Sequence, residues 1–144
     1  MIMQIISHSE EETMLLGFKL SKLFQKGQII CLDGELGAGK TTFTQGLLKA
    51  LNYKNEVTSP TFTLMHEYNA DIPVLHCDMY RIESYDDLFS TGFFDYLNGE
   101  WLVLIEWSDK IKEYLPKENI IHFNFTYTGT DNQRQIEIKS DSDG

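Results

Sequence analysis

Gly34-Glu35-Leu36-Gly37-Ala38-Gly39-Lys40-Thr41 fits the pattern G-x-x-x-x-G-K-[ST] without a substitution. Glycines let a backbone wrap a phosphate with its N–H groups turned inward. A lysine at this place reaches the β- and γ-phosphates, and the following hydroxyl ligates Mg²⁺. A match in a chain this long arises by chance roughly once in a few hundred sequences. The flanks make chance a poorer account still. Gln28-Ile29-Ile30-Cys31-Leu32-Asp33 is a short apolar run and reads as a buried strand. Residues 41–51 read as a helix with Phe43, Leu47, Leu48 and Leu51 on one face. Strand, glycine loop and helix are the setting that phosphate binding requires. The expected phosphate-binding set is therefore Glu35, Leu36, Gly37, Ala38, Gly39, Lys40, Thr41 and Thr42, with Lys40 also catalytic and Thr41 on the metal.

Outward from this loop, the 144 residues suit one domain, residues 1–140, with a polar tail at 141–144. Nothing approaches the ~20 apolar residues of a membrane span. The N-terminus lacks the basic-then-apolar order of a secretory signal, so a cytoplasmic protein is expected. A net charge of −10 disfavours autonomous nucleic-acid binding. Cys31 and Cys77, the only cysteines, both fall in expected strands and read as reduced core thiols.

Ser9-Glu10-Glu11-Glu12 has the form of a capping box. It is followed by Leu16, Leu20, Leu23 and Phe24 at helical spacing, with Gly27 as a stop. Phe62–Tyr68 and Val74–Met79 read as antiparallel strands around a turn at Asn69-Ala70-Asp71. Ser84 and Asp87 mark the start of another helix, and the aromatic segment 91–99 has no clear period. Trp101–Glu106 is a second buried strand, after which Ser108 is expected to cap a short helix ending before Pro116. Ile120–Tyr127 and Gln133–Lys139 alternate and form a hairpin. The pattern predicts a three-layer α/β P-loop domain with a mostly parallel central sheet, antiparallel at its margin. Ligand is expected at the carboxyl ends of the central strands.

Four apolar residues, Leu102 to Ile105, lead into Glu106. A carboxylate at the tip of a strand beside the phosphate loop is placed to hold Mg²⁺ or orient the attacking water. His76, Asp78 and Tyr80 share one strand face. Asp78, at that strand's end, reads as a site acid, and His76 as a satisfied structural histidine. Thr58-Ser59-Pro60-Thr61 reads equally as a phosphate-sensing switch or as an ordinary Ser-Pro turn. Trp101 and Trp107 read as packing residues, with the indole beside Glu106 able to line the site.

Taken in order, GELGAGKTT, SPTFTLMHEY, HCDMYR and LIEW resemble the TsaE (YjeE) family of bacterial ATPases, over about Glu11 to Arg134. The resemblance implies ATP and Mg²⁺ as ligands. It implies a part in forming N6-threonylcarbamoyladenosine in the anticodon loop of tRNAs reading codons that start with A. The partners it implies are TsaD and TsaB, with ATP hydrolysis needed for repeated turnover. By this resemblance Ser59, Pro60 and Thr61 form a switch-like loop, Asp78 is the strand-end acid and Glu106 is metal-associated. Arg134 corresponds to an arginine that approaches the nucleotide. The alternative is a small P-loop kinase of a metabolite or nucleoside. Such enzymes clamp the transferred group with several cations, and Arg81 and Arg134 are the only arginines here. A GTPase switch is disfavoured because the guanine-reading Asn-Lys-x-Asp pattern is absent. Poverty in cations predicts an ATPase that is weak alone and stimulated by its partners.

Overall fold

A computed structural model describes residues 2–34, 39–57, 64–129 and 133–140. Seven strands form one sheet: β1 (Ile2–Ser7), β2 (Ile29–Gly34), β3 (Met65–Asn69), β4 (Pro73–Asp78), β5 (Leu102–Glu106), β6 (Ile120–Tyr127) and β7 (Arg134–Ser140). Their order is β1-β7-β6-β2-β5-β4-β3. The central four, β6, β2, β5 and β4, run parallel, while β7, β1 and β3 add antiparallel margins. The two innermost strands, β2 and β5, begin as apolar runs, Ile29–Leu32 and Leu102–Ile105, because both of their faces are covered. β5 is buried at all five positions.

Helices α1 (Glu10–Leu20) and α2 (Lys40–Ala50) lie on one face, and α3 (Tyr85–Ser90) on the other. The α2 stripe Phe43, Leu47 and Leu48, with Leu51 just beyond it, packs on Ile30, Leu32, Leu104, Phe123 and Phe125. Beneath the sheet, Leu88 of α3 joins Phe93 and Ile111 over Cys31, Leu75, Cys77 and Ile105. That second layer is built largely from short 3₁₀ turns at Phe93–Tyr96, Ser108–Lys110 and Lys112–Tyr114. The α1–α2 contact is close because both helices meet through glycine. A Cβ on Gly17 would stand 2.2 Å from the Phe43 carbonyl oxygen, and one on Gly46 1.9 Å from that of Met14.

Several local expectations hold. Ser9 Oγ accepts from the Glu12 N–H at 3.1 Å, while Glu12 reaches back to the N–H of His8. Ser84 Oγ accepts from the Asp87 N–H at 3.1 Å. Cys31 and Cys77 are buried free thiols. Others fail for identifiable reasons. The first helix ends at Leu20 and tightens into a 3₁₀ turn over Ser21–Leu23, which leaves Leu23 66% exposed. Strand β1 was not foreseen, since its sequence IMQIIS lacks alternation and Ile2, Met3 and Ile6 remain exposed at the sheet margin. Ser108 caps nothing. The residue before that turn is Trp107, and the Ser108 hydroxyl is bonded to Asp33 instead. Residues 58–63, which include the Thr58–Thr61 loop, and the tail 141–144 lie outside the described residues.

Candidate functional site

The phosphate-loop strand ends at Gly34, whose φ of 129° belongs to glycine, and whose added Cβ would lie 2.1 Å from the Phe125 carbonyl oxygen. The chain re-enters the described structure at Gly39, φ 105°, which precedes the first residue of α2. Lys40 therefore stands at the helix N-terminus, where the backbone dipole favours an anion. Its side chain is folded inward and only 6% exposed. The Nζ donates to the Gly34 carbonyl at 3.2 Å and lies 3.8 Å from Glu106 Oε1. Trp107 covers it, with the ring centroid 5.9 Å from Nζ.

Glu106 ends β5, beside β2, and is buried. Its Oε2 is 2.7 Å from His76 Nε2. Asp78 ends β4, directly opposite Glu106 in the parallel register, and its Oδ1 accepts from the Tyr80 N–H at 2.9 Å. Asp33 closes the floor from β2. It accepts from the Ser108 N–H at 2.8 Å and from the Ser108 hydroxyl. Burial pushes the Asp33 carboxyl above its ordinary range, and the two Ser108 hydrogen bonds oppose that shift. Thr41 and Thr42 are half-buried in the first turn of α2, and Thr44 Oγ1 donates to the Lys40 carbonyl at 2.9 Å.

Lys40, Glu106 and Asp78 thus converge at the carboxyl ends of β2, β5 and β4, with Thr41 one residue from Lys40. Arg134 starts β7 at the same end of the sheet, separated from β2 by β6, which is about 10 Å at ordinary strand spacing. Its guanidinium stacks 4.3 Å over the Tyr127 ring and donates to the Gln133 carbonyl. Glu35, Leu36, Gly37, Ala38, Ser59, Pro60 and Thr61 lie outside the described residues. Trp101 packs against Tyr96 at 4.9 Å, as expected of a packing indole. Trp107 is not a core residue. It is 41% exposed, adopts φ 59°, and contacts Tyr80 at 4.9 Å as well as Lys40. Its position directly after the strand-end acid was the available signal. The His76–Glu106 bond and the Asp33–Ser108 link were not anticipated. The former had one clue, the shared strand face of His76 and Asp78.

Among the described residues no three His, Cys, Asp or Glu side chains cluster as a metal site. Thr41 and Glu106 offer a hydroxyl and a carboxylate, which fits the way Mg²⁺ is held, by one or two carboxylates, waters and substrate phosphates rather than by a protein cage. A parallel sheet with a buried lysine at the head of the helix after its first central strand defines a P-loop nucleotide-binding domain.

Comparison with known proteins narrows this class. The family described as "Threonylcarbamoyl adenosine biosynthesis protein TsaE" matches residues 7–136. The chain is 43% identical over 112 residues to the tRNA threonylcarbamoyladenosine biosynthesis protein TsaE of Bacillus subtilis, covering 76% of this chain and 69% of that one. It is 36% identical over 141 residues to the protein of the same name from Aquifex aeolicus, covering 96% of each. The crystal structure of Bacillus subtilis YdiB superposes with a TM-score of 0.82 at 30% identity, over 99% of this chain and 88% of that one. The chain belongs to the TsaE family, the family of tRNA threonylcarbamoyladenosine biosynthesis.

Proposed function

We propose that this chain binds and hydrolyses ATP with Mg²⁺, and that it thereby serves threonylcarbamoyladenosine formation on a TsaB–TsaD pair in the cytoplasm. The observation that carries the reading is Lys40. A buried ammonium at a helix N-terminus, whose polar contacts among the described residues are a carbonyl at 3.2 Å and a carboxylate at 3.8 Å, is poised to exchange them for phosphate oxygens. Glu35, Leu36, Gly37, Ala38 and Gly39 supply backbone N–H groups to the phosphates, joined by Thr42. Thr41 and Glu106 are the residues that would hold Mg²⁺, whose charge would screen the phosphates. With Lys40 drawn to the β- and γ-phosphates, Glu106 Oε1 is released to orient a water. Water oxygen then bonds to the γ-phosphorus while the bond from that phosphorus to the ADP oxygen breaks, giving ADP and phosphate. Asp78, opposite Glu106, is the second acid at that edge. The Ser59–Thr61 loop reports the γ-phosphate to the partner. Arg134 approaches the nucleotide from the β7 side, and residues 1–140 act as one unit.

Cation supply supports partner dependence. Arg81 is exposed, and Arg134 stacks on Tyr127. An added arginine is typically worth ~10³–10⁵ in rate at such a centre. An acidic surface suits docking onto basic patches better than contact with tRNA. The test is phosphate release from ATP with a TsaB–TsaD pair titrated in, beside a tRNA-binding assay on the protein alone. Slow basal turnover, stimulation by the pair and negligible tRNA affinity are expected. A high basal rate that the pair leaves unchanged refutes the reading and favours a kinase.

A further inference from the structure

Glu106 is held from behind by a residue that the reaction scheme above leaves unused. His76 has no solvent exposure, and its Nε2 is 2.7 Å from Glu106 Oε2. The strand register creates the contact. His76 stands opposite Leu104 on β5, so Glu106, two residues further along, is its diagonal neighbour on the same face. On the other side His76 stands opposite His66 of β3. The second ring nitrogen, Nδ1, is buried without a hydrogen-bond partner among the described residues. A buried imidazole kept for packing alone would be served better by an apolar side chain. Its hydrogen bond among the described residues goes to the strand-end acid. The Lys40 ammonium faces the other carboxylate oxygen, so the carboxylate accepts and Nε2–H donates.

We propose that His76 is a positioning residue: its Nε2–H pins Oε2 of Glu106, so that Oε1 alone is presented to Lys40 and to the water that Glu106 orients. The consequence appears when Lys40 moves from Glu106 to phosphate. A carboxylate tethered at one oxygen keeps its orientation at that moment, whereas an untethered one rotates about its last bond. This inference rests on the ATP-hydrolysing reading above, and its test separates the two.

The test compares His76→Leu with His76→Gln, whose amide N–H stands near the place of Nε2. Phosphate release from ATP with Mg²⁺ gives kcat, and calorimetry gives ADP affinity. NMR of the wild-type imidazoles locates the Nε2 proton. Loss of an outer partner of this kind typically lowers activity about 10–100-fold, and that fall in kcat is expected for His76→Leu. ADP affinity should stay within about threefold, since the phosphate cradle is untouched. His76→Gln should recover most of the lost kcat. The wild-type Nε2 proton should be far downfield and protected, should persist when ADP and Mg²⁺ are added, and should vanish in both variants. A His76→Leu enzyme with wild-type kcat overturns the proposal, as does a His76→Gln enzyme no better than His76→Leu. Loss of the downfield proton on adding nucleotide also overturns it, and decides the matter with His76→Gln should His76→Leu not fold. Wild-type protein that releases no phosphate, alone or with TsaB–TsaD, refutes the ATPase reading itself, and the positioning role falls with it.

Discussion

Gly46→Ala tests the framework that holds the phosphate loop. In a free helix this change is favourable by ~1 kcal/mol. Here an ideal Cβ at position 46 lies 1.9 Å from the Met14 carbonyl oxygen and 2.8 Å from its carbonyl carbon. Carbon and carbonyl oxygen approach to about 3.3 Å at closest in ordinary packing, so α1 and α2 must part by about 1.4 Å. The obstacle is backbone, and no rotamer change relieves it. Overpacking costs about 1–3 kcal/mol, and a gap of 0.5–1 Å already forfeits roughly a quarter to a half of a contact's attraction. An overlap this deep against backbone belongs at the upper end of that range, about 3 kcal/mol, which after the helix gain of ~1 kcal/mol leaves a net loss of about 2 kcal/mol. At about 2–4 °C per kcal/mol for a chain of this size, Tm should fall by about 4–8 °C. Gly17→Ala should act in the same direction, since its Cβ would lie 2.2 Å from the Phe43 carbonyl oxygen. The double variant should cost less than the two together, because one parting of the helices relieves both clashes. Urea unfolding monitored by circular dichroism, with unchanged m, is the assay. A Gly46→Ala protein as stable as wild type, or more so, would refute the argument that this glycine is required by backbone contact.

Lys40→Ala should lower ATP hydrolysis by at least about 10²-fold, since it removes the cation that the proposed function places nearest the transferring phosphate; retained turnover in a phosphate-release assay counts against the site. Glu106→Gln keeps the side-chain shape and should depress kcat while leaving ADP affinity nearly intact, as measured by calorimetry beside turnover. Burial raises the Cys77 thiol well above its ordinary range, with Asp78 adding to the effect, so the native protein holds it protonated. Its share of stability is present below the unfolded thiol value and is lost as pH rises beyond it. At mildly alkaline pH both cysteines should therefore react with a thiol reagent only at the rate of unfolding; immediate stoichiometric labelling in native buffer would contradict their burial.

How much was legible followed from where each signal resides. The β2–loop–α2 unit was readable because its pattern is local: an apolar run, glycines, then one helical stripe. The parallel character of the centre was readable because β2 and β5 are apolar up to their carboxyl ends, over Ile29–Leu32 and Leu102–Ile105. Strand β1 was not, since it is stabilised by pairing with β7 from Ile2 opposite Lys139 to Ser7 opposite Arg134, and pairing leaves no mark on a strand that buries little. Ser84 and Ser108 show the limit of capping rules. Ser84 stands at the cap position and its hydroxyl accepts from its own helix, whereas Ser108 is the first residue of its turn and its hydroxyl is taken by Asp33 from β2. His76 was read as structural because no ligand partner stood at motif spacing. Its partner lies thirty residues on and is brought near by the β4–β5 register.

That same register makes a functional demand visible in the energetics. Lys40, Glu106 and His76 are all buried, and two of them carry opposite charges 3.8 Å apart. Taking two ions out of water costs several kcal/mol each, and their attraction seldom repays it unless every remaining donor and acceptor is satisfied. Among the described residues His76 Nδ1 has no hydrogen-bond partner, and the Lys40 contacts are long. Apolar side chains of similar volume would fill the space at no loss of stability, as Leu102 and Leu104 do one and two steps down the same face of β5. Stability therefore does not account for these three residues. The nucleotide phosphate of the proposed function would account for them, because it would replace the long Lys40 contacts with charged ones and leave Glu106, still tied to His76, at the edge of the site.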